Sequence, residues 1–220
     1  MNHVADNKRQ RAPSKRSLET RARIFDSAEL MFGARGYEGT SIRDIAEAAG
    51  VQKALVSFHG GAKEAFFSEI VARRAEEVAD LRLAALDRLE AAGPATLPEI
   101  VEAFVRPLLD KARRDGAQWQ AYARLIAQVS ADPRWHEITQ THFDPTARRF
   151  IAAIQRRYPD ANPQSVASGF VFTVSAMLSL ATSEWRVAAL DPDSPALDQD
   201  ALMRDLIRFC EAGMRGMLER

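Results

Sequence analysis

The 220-residue chain has a single cysteine, Cys210, so it can close no disulfide within itself and can offer no thiolate cluster to a metal. A reducing, cytoplasmic setting is the expectation. With 11 glycines and 10 prolines it is too poor in both for a fibrous or low-complexity protein, and 46% hydrophobic against 27% charged residues is ordinary globular usage. Charge of one sign is not in excess either, because 30 Lys and Arg balance 30 Asp and Glu. No apolar run follows the basic N-terminus, where Ser17-Leu18-Glu19-Thr20 stands instead of a leader's core, so no secretory signal is expected. The uncharged segment at residues 161–183 is long enough to span a bilayer. Its serines and threonines, with Asn162, Gln164 and Gly169, and its Asn162-Pro163 start argue instead for a capped helix buried in a bundle or a subunit interface, and no membrane partner is expected.

The zero net charge hides an uneven distribution. Residues 1–63 hold 11 basic and 7 acidic side chains, and the remainder 19 and 23. At the front, Lys8, Arg9, Arg11, Lys15, Arg16, Arg21 and Arg23 face only Asp6 and Glu19. Such a front favours a polyanionic partner, although a solvated basic tail gives the same count. Residues 1–19, polar and interrupted by Pro13, read as a flexible arm. From Thr20 onward apolar residues recur at helical steps. Ile24, Phe25, Ala28, Met31 and Phe32 lead to Gly36; then Thr40 can cap a helix carrying Ile42, Ile45, Ala46 and Ala49, which Gly50 ends. A third short helix runs from Val51 to Phe58, and Gly60-Gly61 breaks it. A connector helix follows from Ala62 to about Glu90, with Phe66, Phe67, Ile70, Val71, Val78, Leu81, Leu86 and Leu89 as its apolar side. Further helices are expected at about 97–114, 117–131, 134–142, 145–158, 163–189 and 198–218, with a loop at Asp191-Pro192-Asp193-Ser194-Pro195. The expected fold class is all-α, without internal repeats.

Three short helices with a glycine in the turn between the second and third match a helix-turn-helix, whose last helix enters the major groove of DNA. Ile45, Ala46 and Val51 are small or branched apolar residues suited to packing the two helices at a tight angle. Gly50 supplies the permissive backbone that the turn needs. Residues 20–67 also resemble the TetR family of bacterial transcriptional regulators. The likeness runs from Arg23-Ile24-Phe25-Asp26-Ser27-Ala28-Glu29-Leu30-Met31-Phe32, through Gly36-Tyr37-Glu38-Gly39-Thr40-Ser41-Ile42-Arg43-Asp44-Ile45-Ala46-Glu47-Ala48-Ala49-Gly50-Val51, to Lys63-Glu64-Ala65-Phe66.

The resemblance implies a homodimer whose two recognition helices read successive major grooves of a palindromic operator in double-stranded DNA. It also implies a larger C-terminal helical domain, residues 68–220, that binds a small molecule and dimerises. It places Arg43, Gln52 and Lys53 where the family faces base edges, with Ala54, Leu55 and Phe58 on the same recognition segment. Arg or Lys can donate to guanine and Gln can pair with adenine, while phosphate contact alone is the plainer role for Arg43 and Lys53. Thr40, Ser41, His59 and Lys63 fall at positions that resemble phosphate contacts. The chain departs from the family pattern in one short stretch. Ser57 stands where relatives have a phosphate-binding tyrosine, Gly60 where they have a packing phenylalanine, and Ala62 where they have a capping serine. These departures lower the expected affinity for DNA and support an alternative reading as a small-molecule or protein sensor with weak or divergent DNA binding.

Beyond residue 68, apolar stripes at helical spacing mark core, and some of the same residues can wall a ligand cavity. The expected cavity residues are Phe104, Leu108, Trp119, Tyr122, Ile126, Phe143, Phe150, Phe170 and Met177, drawn from the inward faces of four helices. Few charges fall on those faces, so a neutral or amphipathic, largely apolar effector is expected. Ala167, Ser168, Ser175, Ser179 and Thr182, with Leu202, Leu206, Phe209, Gly213 and Met217, make two stripes for a four-helix dimer interface. No metal or cofactor is expected. His136 and His142 are six residues apart, on opposite sides of a regular helix, and read as surface histidines. Asp191, Asp193, Asp198 and Asp200 match a calcium loop in composition only. No nucleophile elbow, phosphate loop or dinucleotide fingerprint occurs, and no enzymatic activity is expected.

Overall fold

The computed structural model describes residues 14–191 and 198–219. Lys8, Arg9 and Arg11 of the expected arm, and Asp193 with the centre of the expected 191–195 loop, lie outside them. Among the described residues the fold is all-α, with no strand: α1 (Lys15–Arg35), α2 (Ile42–Ala48), α3 (Lys53–Gly60), α4 (Lys63–Ala92), α5 (Leu97–Arg114) and α6 (Ala117–Ala131). A 3-10 turn at Pro133–Trp135 then leads into α7 (His136–His142), α8 (Asp144–Arg157), α9 (Pro163–Ser183), α10 (Trp185–Leu190) and α11 (Gln199–Leu218).

The first helix begins at Lys15, not Thr20, because the Ser14 hydroxyl accepts from the amide of Ser17 and starts the ladder earlier. The C-terminal end of α1 is as the glycine implies: Gly36 has φ +71° and its amide returns to the Phe32 carbonyl. Ser41, and not Thr40, caps α2. Its hydroxyl accepts from the amide of Asp44, and the Asp44 carboxylate accepts from the amide of Ser41, each at 3.1 Å, which is a reciprocal capping box. Hydrogen bonds to the carboxyl from the Ser41 side chain and the Ser41 amide favour its ionised form and hold Asp44 below the usual carboxylate range. At the other end of α2, Gly50 has φ +63°. Its amide meets Glu47 O, and the amide of Val51 meets Ala46 O at 2.9 Å, the paired bonds of a Schellman turn. That turn aims α3.

Two features fix the N-terminal three helices on the rest. Gly33 of α1 crosses α6 so closely that a Cβ there would stand 2.5 Å from the carbonyl oxygen of Ala121. Beside this crossing, α1 and α4 are joined by Arg21–Glu69, by Asp26–Arg73 at 2.6 Å, and by Glu29, which is fully buried and accepts from both Nε and Nη2 of Arg74. Burial raises the Glu29 carboxyl above its ordinary value, and the two arginines pull it back only in part.

The C-terminal helices enclose one continuous core. Along the connector Phe66, Phe67, Ile70, Val71, Val78 and Leu86 of the expected stripe are buried, and the departure is local, at residues 81 and 82. Leu81 is exposed, and Arg82, at the spacing that joins Val78 to Leu86, points inward. The expected 163–189 helix is two helices, interrupted at Glu184. In α9 the face of Val166, Gly169, Phe170, Thr173 and Met177 is buried, with Gly169 lying against the side chain of Met214 in α11. Its opposite face, with Val171 and Phe172, is exposed. Leu206 is buried within its own chain, unlike Phe209 and Gly213 of the same expected stripe. Asp198 serves as the cap of α11, accepting from the amides of Asp200 and Ala201.

Candidate functional site

Helix α3 is anchored by few of its residues: Val56 and Gly60 are buried, His59 is half-buried, and Lys53, Ala54, Leu55, Ser57 and Phe58 face solvent. Phe58 is 77% exposed, an unusual position for a phenylalanine. Gln52 occupies the N-cap position but makes no capping bond, so its amide is free to point outward. Arg43 on α2 is exposed beside this surface, and neither it nor Lys53 has a carboxylate within 4.0 Å among the described residues. The pair therefore presents two unneutralised cations around an outward-facing helix.

Two of the expected phosphate-contacting side chains do other work. Thr40 is buried, and its hydroxyl donates to the carbonyls of Met31 at 3.2 Å and Gly36 at 2.9 Å, locking the α1–α2 turn. It positions α2 and has no side-chain face to offer a phosphate. Lys63 rests its ammonium over the Tyr37 ring at 4.1 Å. Ser41 remains exposed while committed to the capping box, and the His59 and Phe58 rings lie edge to face at 5.0 Å.

The departure at position 60 has a structural answer. A Cβ on Gly60 would lie 2.5 Å from the ring of Phe66, which is fully buried against Phe25 and Phe32. Phe66, one turn into α4, fills the space that a side chain at 60 would take. The Gly60-Gly61 pair therefore does not loosen the junction in the way its composition implies; the helix continues through Gly60, and Gly61, at φ +70°, ends it. Ala62 leaves the start of α4 without a side-chain cap, as the sequence indicates.

A cavity of about 450 Å³ lies between α4, α5, α6, α7, α8 and α9. Six of the nine expected residues line it: Phe104, Tyr122, Ile126, Phe143, Phe170 and Met177. The other three do not. Leu108 and Phe150 are fully buried in the core, with Phe150 edge to face against Phe104. Trp119 packs between Tyr122 and the cations of Arg74 and Lys111, whose groups stand 4.6 and 5.0 Å from its ring centre.

The expectation of few charges is corrected by α4, which is more than a connector and contributes a wall. Arg82 lines the cavity while only 8% exposed. Its Nε donates to the Phe104 carbonyl at 2.8 Å, its Nη2 reaches the Met177 sulfur at 3.3 Å, and the guanidinium lies 3.9 Å above the Phe104 ring. Burial pushes it down to about 10, so it stays charged at neutral pH. The same low-polarity surroundings raise the Tyr122 phenol above its ordinary range. His142 lines the cavity too and is not simply a surface residue, and Asp144 and Arg148 pair with each other at its rim. The sequence did carry a signal for Arg82, namely an arginine at a core spacing in an apolar stripe. A second concavity, of about 620 Å³ between α4 and α5, is a groove rimmed by charges that pair among themselves, such as Arg106–Glu102 and Lys111–Asp115.

The cavity is joined to the N-terminal helices through the turn that precedes its α7 wall: there the ring of Trp135 lies 4.5 Å from Phe67 of α4 and 4.9 Å from Tyr37 in the α1–α2 turn. Arg134 binds Glu38 in the same turn.

Two family models match the sequence. One, described as bacterial regulatory proteins, tetR family, covers residues 24–70, and one described as tetracyclin repressor-like, C-terminal domain, covers residues 102–213. No curated protein sequence matches. Among solved structures, the fold is similar to a TetR-like transcriptional regulator from Rhodococcus sp. RHA1, with 17% identity and a TM-score of 0.61 over 94% of this chain and 100% of that one. It is similar to a transcriptional regulator from Aquifex aeolicus VF5, with 17% identity and a TM-score of 0.57 over 88% of this chain and 98% of that one. A third likeness is to the TetR family regulator PfmR from Thermus thermophilus, at 22% identity and a TM-score of 0.54, covering 90% and 97% of the two chains.

Proposed function

Because the chain belongs to the TetR family of bacterial transcriptional regulators, we propose that it is a cytoplasmic, homodimeric repressor without a catalytic step, released from a palindromic operator by a small effector in the α4–α9 cavity. The observation that carries this reading is α3 itself, a helix held from behind by Val56 and Gly60 that leaves Gln52, Lys53, Leu55 and Phe58 to the outside. Lys53 and Arg43 suit guanine O6 and N7, Gln52 suits the adenine edge, and Leu55 and Phe58 add apolar contact of the kind a thymine methyl offers.

Effector binding would act by population shift, favouring the arrangement in which the cavity is filled. Two chains of contact lead from its walls toward the three N-terminal helices. One passes through α6, which α1 crosses at Gly33, and the other through α7 and Trp135 to Tyr37. The sensor reading with weak DNA binding is favoured by the uncapped starts of α3 and α4 at Gln52 and Ala62. Selection of bound sequences from random DNA at low salt decides between them. An enriched palindrome supports the repressor reading, and the absence of one supports the sensor. Lys53→Ala should relax sequence preference while leaving the fold intact.

A further inference from the structure

We propose that the cavity takes an amphipathic monoanion, an apolar body ending in a carboxylate, and that Arg82 holds that carboxylate. The inference rests on the cavity being the effector site and names what it selects. A guanidinium removed from water is costly unless it is paired, and natural proteins almost always pair it with an acid. Arg82 has no carboxylate within 4.0 Å among the described residues, and of its five N–H donors the Phe104 carbonyl takes one and the soft Met177 sulfur another. Nη1 makes no hydrogen bond among the described residues, and Arg82 lines the cavity. Tyr122 lines the same cavity, and its hydroxyl makes no hydrogen bond among the described residues. Such donors, in a chamber walled by apolar side chains with a few hydroxyls, His142 and the Asp144–Arg148 pair, are complementary to an anion.

The charge count selects the kind of anion. At the rim Asp144 and Arg148 neutralise each other, so Arg82 contributes the one permanent unmatched positive charge, with the His142 imidazole as the other ionisable group of the lining. A carboxylate carries one negative charge, whereas a phosphate monoester carries about −1.5 to −2 at neutral pH and would leave charge uncompensated in a low-polarity chamber. Ile126, Phe143, Ile151, Phe170 and Val174 wall the remaining space and fit an alkyl or aryl body. The cavity volume of about 450 Å³ lies within the range of ordinary small-molecule sites, roughly 300–1,000 Å³.

The test uses full-length protein with decanoate, decanol and decyl phosphate below their micellar concentrations, read by thermal shift and calorimetry on wild type, Arg82→Met and Arg82→Lys. Decanoate should stabilise the wild type more than decanol. In Arg82→Met its affinity should fall roughly tenfold to a hundredfold, the range of one lost charge-assisted hydrogen bond, while that for decanol holds. Arg82→Lys, which keeps the charge, should retain part of the preference. Without ligand, Arg82→Met should melt no lower than wild type, since an unpaired buried cation has been replaced by an apolar chain of similar size. Equal stabilisation by decanol and decanoate, or a carboxylate preference that survives in Arg82→Met, overturns the inference and leaves the effector reading standing. Tighter binding of decyl phosphate than of decanoate overturns the choice of a monoanion. Failure of all three probes, extended to shorter and aromatic counterparts, removes the cavity as effector site and the inference with it.

Discussion

At position 60 the presence or absence of a single Cβ decides whether α3 can seat on α4. Phe66 cannot retreat, because it is fully buried and its ring is edge to face with Phe25 at 5.1 Å. Gly60→Ala should therefore cost about 1–3 kcal/mol through overpacking. Phe66→Leu should partly relieve it, so that the double variant is more stable than the sum of the single costs in denaturant unfolding; strict additivity would show that the two positions do not compete. Gly50 is sensitive for a different reason, since nothing lies near it but its φ of +63° belongs to the left-handed region. Gly50→Ala should cost about 1–2 kcal/mol, and weaken DNA binding by mis-aiming α3. The two glycines look alike in sequence. Gly50 was legible from its place between two apolar periods, whereas the role of Gly60 depends on where a ring six residues later falls, which no local pattern encodes.

Helices and their starts were largely readable because caps and periodicity are local, but which side of a helix faces which neighbour was not. Thr40 and Ser41 are adjacent hydroxyl residues; Ser41 caps α2 because Asp44 reciprocates, and Thr40 turns inward to two carbonyls of the preceding turn. On α4 the core position between Val78 and Leu86 falls to Arg82 and not to Leu81, and with it a cavity expected to carry few charges acquires one. The α1–α4 junction makes a titration prediction. The Glu29 carboxyl is raised by burial from its ordinary 4.5, so the folded state holds the proton more firmly than the unfolded state. Its contribution is therefore most favourable below about 4.5 and is lost as pH rises through the raised value. Wild type should gain stability relative to Glu29→Gln as pH falls toward 4.5 in melting experiments, and a gap that shrinks on acidification would contradict the assignment. At the α7 junction, Trp135→Ala should remove one route between cavity and α3. Unliganded DNA binding should persist while effector-driven release weakens, measured as the ratio of operator affinities with and without effector.

The whole molecule leaves one large apolar face uncovered. Phe172 of α9 and Phe209 of α11 are 61% and 72% exposed, and Trp185 and Leu190 of α10 continue the face. A patch of this kind on a single chain marks an interaction surface, and the small residues Ser175, Ser179 and Gly213 beside it permit close helix approach by a second copy. If a second copy covers the exposed side of α9, the apolar character of that helix, whose mean hydropathy reaches 1.6, needs no membrane to explain it. If two copies join here, each brings one α3, and the second half-site is bound at the effective concentration set by a rigid linkage instead of from bulk solution. Phe172→Glu with Phe209→Glu should yield a folded monomer in light scattering, since neither side chain supports the core. Operator affinity should then fall by about 10²–10⁴-fold. The salt slope should fall with it, because a single α3 neutralises about half the phosphates, each worth about 0.9 in the slope of log K against log salt. A monomer that kept both the affinity and the slope would locate dimerisation, or DNA recognition, elsewhere on the chain.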